Sequence, residues 1–136
     1  MAALTGITAV RPTVTTKTSL VIYGATVAVG QTLYLDSSDN KYKLADSNAS
    51  SATATLKAIA MTPGIDAGYG LVAISGSIIL VGTTMLVGET YHLGATAGTI
   101  VPDADLTTAD YISRVGVASS ATQILLAIEA TGIVHA

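Results

Sequence analysis

An all-β fold, a compact antiparallel barrel or sandwich, is what this sequence predicts, and three observations predict it. The chain repeats itself: Val27-Ala28-Val29-Gly30-Gln31-Thr32-Leu33-Tyr34-Leu35 returns as Met85-Leu86-Val87-Gly88-Glu89-Thr90-Tyr91-His92-Leu93, at an offset of 88 − 30 = 58. A second pair, Leu71-Val72-Ala73-Ile74 and Leu125-Leu126-Ala127-Ile128, keeps an offset of 125 − 71 = 54. The difference of four is what a loop of changed length leaves. Val, Ile and Thr, stiff at χ1 and suited to pleated surfaces, dominate between glycines, and no long helical periodicity interrupts them. The expected organisation is an N-terminal extended arm or edge strand over residues 1–18. It leads into a single β domain over 19–136 built from two related halves, about 27–80 and 85–135.

The elements follow in order. Residues 4–18 are Thr-rich, and Pro12 lacks a donor and holds Arg11 extended, so this stretch reads as the arm. Ser19–Tyr23 is a strand ended by Gly24. Thr32–Leu35 and Lys41–Leu44 flank the turn Asp36-Ser37-Ser38-Asp39-Asn40. Tyr42 and Leu44 share one face of the second strand while Lys41 and Lys43 share the other, a half-buried hairpin pattern. Residues 46–53 form a polar loop, Thr55–Met61 a strand closed by Pro63-Gly64, and 64–70 a Gly-bearing loop. Gly70–Ser75 and Ser77–Val81 read as two strands broken by Gly76. The second copy gives Glu89–Leu93, a turn over 94–98, and Thr99–Val101. Pro102-Asp103-Ala104-Asp105-Leu106 suits one helical turn. Tyr111–Ala118, Thr122–Glu129 and Gly132–His135 complete the set, spaced for antiparallel hairpins.

Composition narrows the function. At 136 residues the chain is one domain with a core of its own. Phe and Trp are absent and only 11% of residues are charged, so Val, Ile, Leu and Ala must make the core. Low net charge promotes association, which predicts a homo-oligomer or docking on something large. A formal charge of −3 with scattered basic residues speaks against nucleic acid as a partner. The absence of Cys removes disulfides and thiolate metal sites. The N-terminus has no signal-peptide pattern, and the longest apolar runs fall far short of a membrane helix, so no membrane partner is expected.

Candidate chemistry is thin. The turn over 36–40 lacks the frame of a calcium loop, and Asp103, Asp105 and Asp110 read as helix-start and turn residues. His92 and His135 lack a third ligand for a metal. The loop over 64–70 lacks the Lys-Ser/Thr of a phosphate loop, and no G-x-S-x-G elbow occurs. Lys41 follows a hairpin turn as a modifiable lysine does in some carrier domains, but Asn40 and Tyr42 flank it. No catalytic residue, cofactor or metal site is expected, and the chain reads as a non-enzyme.

The run V-x-V-G-Q-T-L-Y-L-D-S-S-D-N-K-Y-K-L-A-D from Val27 to Asp46 resembles small β-rich proteins encoded with the head genes of tailed bacteriophages. So do the later S-G-S-I-I-L, T-x-L-V-G-E-T-Y-x-L, G-T-I-V-P and D-Y-I-S-R-V-G-V-A segments, and the likeness extends over about 27–134. The family is that of capsid decoration, or cement, proteins. The resemblance implies a virion structural protein on the outer capsid surface. Its partners would be the major capsid protein and further copies of itself, as a homotrimer, and it would stabilise the shell. An N-terminal arm commonly makes lattice contacts in that class. Here Arg11, Pro12, Thr13 and Val14 are the matching candidates for contact with a neighbouring subunit. The alternatives are a receptor- or glycan-binding module of a head fibre or tail adhesin, using Tyr69 in its Gly-rich loop, and a tail-tube or baseplate subunit.

Overall fold

The computed structural model describes residues 3–135, and those residues are all-β. Ten strands are formed: β1 (Ala9–Pro12), β2 (Lys17–Ile22), β3 (Thr32–Asp36), β4 (Lys41–Leu44), β5 (Leu56–Ala60), β6 (Tyr69–Val81), β7 (Thr90–Leu93), β8 (Ile100–Pro102), β9 (Tyr111–Ala118) and β10 (Gln123–Val134). Every strand pairing is antiparallel, and the sheet curls into a half-barrel. Its main path runs β4-β3-β5-β6-β10-β9-β7-β8 and reads as the same arrangement from either end. The equivalence extends to register where the repeat is clearest. Leu33 faces Ala58 as Tyr91 faces Gly116, offsets of 91 − 33 = 58 and 116 − 58 = 58.

β6 is the strand both halves share. Val72 and Ala73 lie between β2 and β5, while Ile78 and Ile79 lie between β1 and β10. Within the 1–18 segment, residues 9–12 and 17–18 lie in the sheet, with β1 and β2 antiparallel to successive lengths of β6. Two sequence expectations are corrected here. Gly76 bends one thirteen-residue strand instead of dividing two, because glycine takes φ +86° without ending the pairing. Thr122–Glu129 and Gly132–His135 likewise belong to one strand, with register shifts against β9 absorbing Gly132 at φ +69°. One helical turn does form at Asp103–Asp105, a 3-10 turn led by Pro102.

In the first half the strand series β2-β6-β5-β3-β4 curls back on itself. Tyr23 bridges Tyr42, and the Gly24 N–H donates to the Tyr42 carbonyl at 2.8 Å. The enclosed space holds Val21, Tyr23, Val27, Leu33, Ala58, Ala60 and Val72, with Tyr42 and Leu44 packed against them. The hairpin pattern read from the sequence has this cause, since Leu33 faces Leu44 and Leu35 faces Tyr42. A larger cluster joins the halves. Leu56, Ile59 and Ala73 meet Ile78, Leu80, Tyr91, Leu93, Val115, Ile124 and Leu126.

Without Phe or Trp, two buried tyrosines supply the largest core side chains. A buried phenol needs a hydrogen-bond partner. Tyr23 donates to the Thr62 carbonyl at 2.8 Å, and Tyr91 accepts from the Leu86 N–H at 3.0 Å. Burial pushes the Tyr23 phenol pKa up. The Gly-bearing loop is shaped around this ring. A Cβ on Gly70 would stand 2.1 Å from Tyr23 Cζ, and one on Gly64 would stand 2.4 Å from Cδ2.

The acidic turn is held by its own chain. Asp36 Oδ1 accepts from the Ser38 N–H and hydroxyl at 2.9 and 2.7 Å, and Asn40 takes φ 57°. Lys43 Nζ lies 2.7 Å from Asp36 and 3.1 Å from Asp39. The Lys43 hydrogen bond, then the Ser38 donors, hold the Asp36 carboxyl well below the usual range, and Lys43 with the Lys41 N–H lowers Asp39. Lowered folded values mean the contribution is complete above the ordinary carboxylate pKa and lost as pH falls through the lowered ones. In Lys43→Met, acid-unfolding curves measured by circular dichroism below pH 4 are expected to have a shallower slope than in the parent.

Candidate interaction surface

β1 carries a polar turn that fastens it to the bend of β6. The Thr13 hydroxyl donates to the Ser77 carbonyl at 2.8 Å, the Thr16 hydroxyl donates to the same oxygen, and the Ser77 N–H donates to Thr15 Oγ1 at 3.0 Å. Here the threonine-rich sequence has a structural cause, since hydroxyls satisfy backbone groups left over where the strand bends. The four contact candidates lie together on this element. Arg11 and Pro12 are exposed opposite Ile79 and Ile78, Thr13 is tethered, and Val14 at the turn is fully exposed.

The outer faces of the sheet are apolar in two places. Leu20 faces the half-buried Leu71 across β2 and β6, and Ile22 faces Tyr69 beside them. Leu20 and Tyr69 are 68% and 71% exposed. On the other half Leu125 and Val117 are cross-strand neighbours, 50% and 37% exposed. Leu86 and Val87, in the loop before β7, are exposed as well. A monomeric surface rarely gathers such groups without a use for them. Composition indicated association, but which apolar residues face outward depends on register, which the alternation alone did not give.

The polar residues are more dispersed. His92 on β7 faces Arg114 across to β9, and both line an open cleft of about 590 Å³ with Glu89, Thr90, Asp103 and Ala104. His92 Nε2 lies 3.1 Å from Asp103 Oδ1, and both ring nitrogens are buried. Burial lowers the imidazole pKa first, with Asp103 and Glu89 pulling it up and Arg114 adding to the fall. A lowered histidine value means stability is fullest above pH 6.5 and declines as pH falls toward the folded value. In His92→Gln, denaturation midpoints compared between pH 7 and pH 5 are expected to change less than in the parent.

Asp110 is buried and accepts from the Thr107 N–H and hydroxyl at 2.9 and 2.7 Å, a turn role as expected. Lys41 opens β4 directly after the turn, with Nζ 3.8 Å from Asp66. Among the described residues no three of His, Asp and Glu gather in a metal-holding arrangement, and no helix is long and apolar enough to cross a membrane. Compared with known proteins, the chain matches no family model, no curated protein and no solved structure.

Proposed function

We propose that this chain is a non-enzymatic structural protein of a phage virion, a capsid decoration protein. It would bind the outer head surface, associate with itself as a homotrimer, contact the major capsid protein and stabilise the shell. The observation that carries the reading beyond its sequence resemblance is the set of outward apolar side chains on both halves: Val14, Leu20, Ile22, Tyr69, Val117 and Leu125. They lie on pleated surfaces and one turn, which suits repeated shallow contacts over a lattice. Apolar burial contributes about 25 cal/mol per Å², association costs offset much of that in one contact, and several simultaneous contacts raise avidity.

In this reading Arg11, Pro12, Thr13 and Val14 touch a neighbouring subunit. Deleting residues 1–16 is expected to abolish binding to empty expanded heads, counted as bound copies by cryo-electron microscopy. Unchanged capsid binding and oligomeric state would remove the role. The second reading, a glycan-binding module, is favoured by the exposure of Tyr69 beside the Gly-bearing loop. Specific signals on a glycan array that Tyr69→Ala abolishes would replace the first reading with it.

A further inference from the structure

We infer that the edge of β10 over Glu129–Val134 is a strand-docking surface, and that its occupant is β1 of a second copy of this chain. The internal repeat provides the argument. β6 and β10 are counterparts, and β6 has neighbours on both edges, with β1 and β2 along one of them. β10 has two neighbours only over Gln123–Leu126, and beyond that, among the described residues, it pairs with β9 alone.

Side chains repeat the asymmetry. In sequence, Ile133 and Val134 stand at the same offset from Ile79 and Leu80, since 133 − 79 = 54, with two register shifts of β10 against β9 in between. In β6 these positions are covered, because Arg11 faces Ile79, Val10 faces Leu80, and Leu80 is fully buried. In β10 nothing faces them from that edge, and Ile133 and Val134 stand 63% and 45% exposed. An unpaired edge bearing exposed β-branched residues is a template for another strand.

The occupant follows from the same comparison. The segment that completes β6 is Ala9–Pro12, and β1 itself pairs on one edge only among the described residues. Charge agrees. Arg11 makes no ion pair among the described residues, and Glu129 on the receiving edge is exposed, its single ion pair among the described residues being a 3.9 Å contact with Arg114. A β6-β1 sheet continued by β10 of the next copy joins two different surfaces, and such a head-to-tail contact closes into a ring when its rotation closes. The inference deepens the self-association part of the proposed function and does not require a shell.

The chain has no cysteine, so single cysteines report the contact cleanly. Arg11→Cys and Ile133→Cys, mixed and treated with a short bis-maleimide, are expected to give a cross-linked pair containing one of each. Sedimentation velocity of the parent is expected to show association that Ile133→Asp weakens about tenfold or more. At concentrations where the parent is dissociated the thermal midpoint should not move, because Ile133 is exposed. Glu129→Arg should weaken association, and Arg11→Glu combined with it should restore it. A parent that sediments as a monomer at every concentration, or cross-links of Ile133→Cys with itself alone, would overturn the inference. Rings that form but bind no heads would support the strand contact while sinking the shell reading.

Discussion

Tyr23→Ala is expected to remove about 3–5 kcal/mol of unfolding free energy, the usual loss when a large buried aromatic is truncated. The ring is fully buried and fills the space that the curled strands of the first half enclose. The loss has three parts: apolar area, an empty volume that the curled strands cannot collapse into, and the hydrogen bond to Thr62. Tyr23→Phe isolates the last part and should cost about 1 kcal/mol. Domains of this size hold roughly 5–15 kcal/mol, so the alanine variant should lose much of its resistance to urea. Equilibrium urea unfolding followed by circular dichroism measures both. Equal stability of Tyr23→Ala and the parent would show that the ring does not organise this half.

Gly76→Val is the second large effect, expected to cost about 3 kcal/mol or more. Gly76 holds φ +86°, which a β-branched residue adopts only under strain. Any Cβ there would also stand 2.0 Å from the Thr15 carbonyl oxygen. The collision is relieved by lifting the turn over 13–16 off Ser77, while the φ strain remains in the backbone of residue 76. Amide hydrogen exchange should therefore quicken first in β1 and β2, with β7 to β9 keeping their protection. Gly88→Ala is a useful contrast, because its φ of +83° imposes similar strain while a Cβ there meets nothing within 4 Å. A loss as large in Gly88→Ala would mean that backbone strain, and not the Thr15 collision, dominates at Gly76.

The fold class and most strands were legible because the physics behind them is local. Alternation across Lys41–Leu44 and β-branched enrichment at Tyr111–Ala118 give strands with those same bounds in the structure. The repeat was legible in V-G-[Q/E]-T-x-x-L, and it reappears as the mirrored strand order. The continuity of β6 and β10 was not. A glycine inside an apolar run bends a strand or ends it according to what pairs alongside, and that partner lies far away in sequence. Tyr23 was likewise unreadable as a core residue, since its burial depends on Gly64 and Gly70. Their missing side chains admit the ring, and a sequence reader meets them as turn residues. The contact candidates were grouped on extended character, and Arg11 and Pro12 end β1 while Thr13 and Val14 lie in the turn after it. The outward apolar pairs and the edge of β10 needed the register.

The pairing of β1 and β2 with β6 also bears on synthesis. Ala9 finds its partner at Val81, so 81 − 9 = 72 residues separate the two. On a ribosome adding about 5–20 residues per second, the first strands to emerge wait several seconds for a mate, while the hairpin from Thr32 to Leu44 can already close. During that interval Val10 and Val21 face water on a nascent chain, and anything that shields them until translation passes Val81 should raise the yield of folded protein.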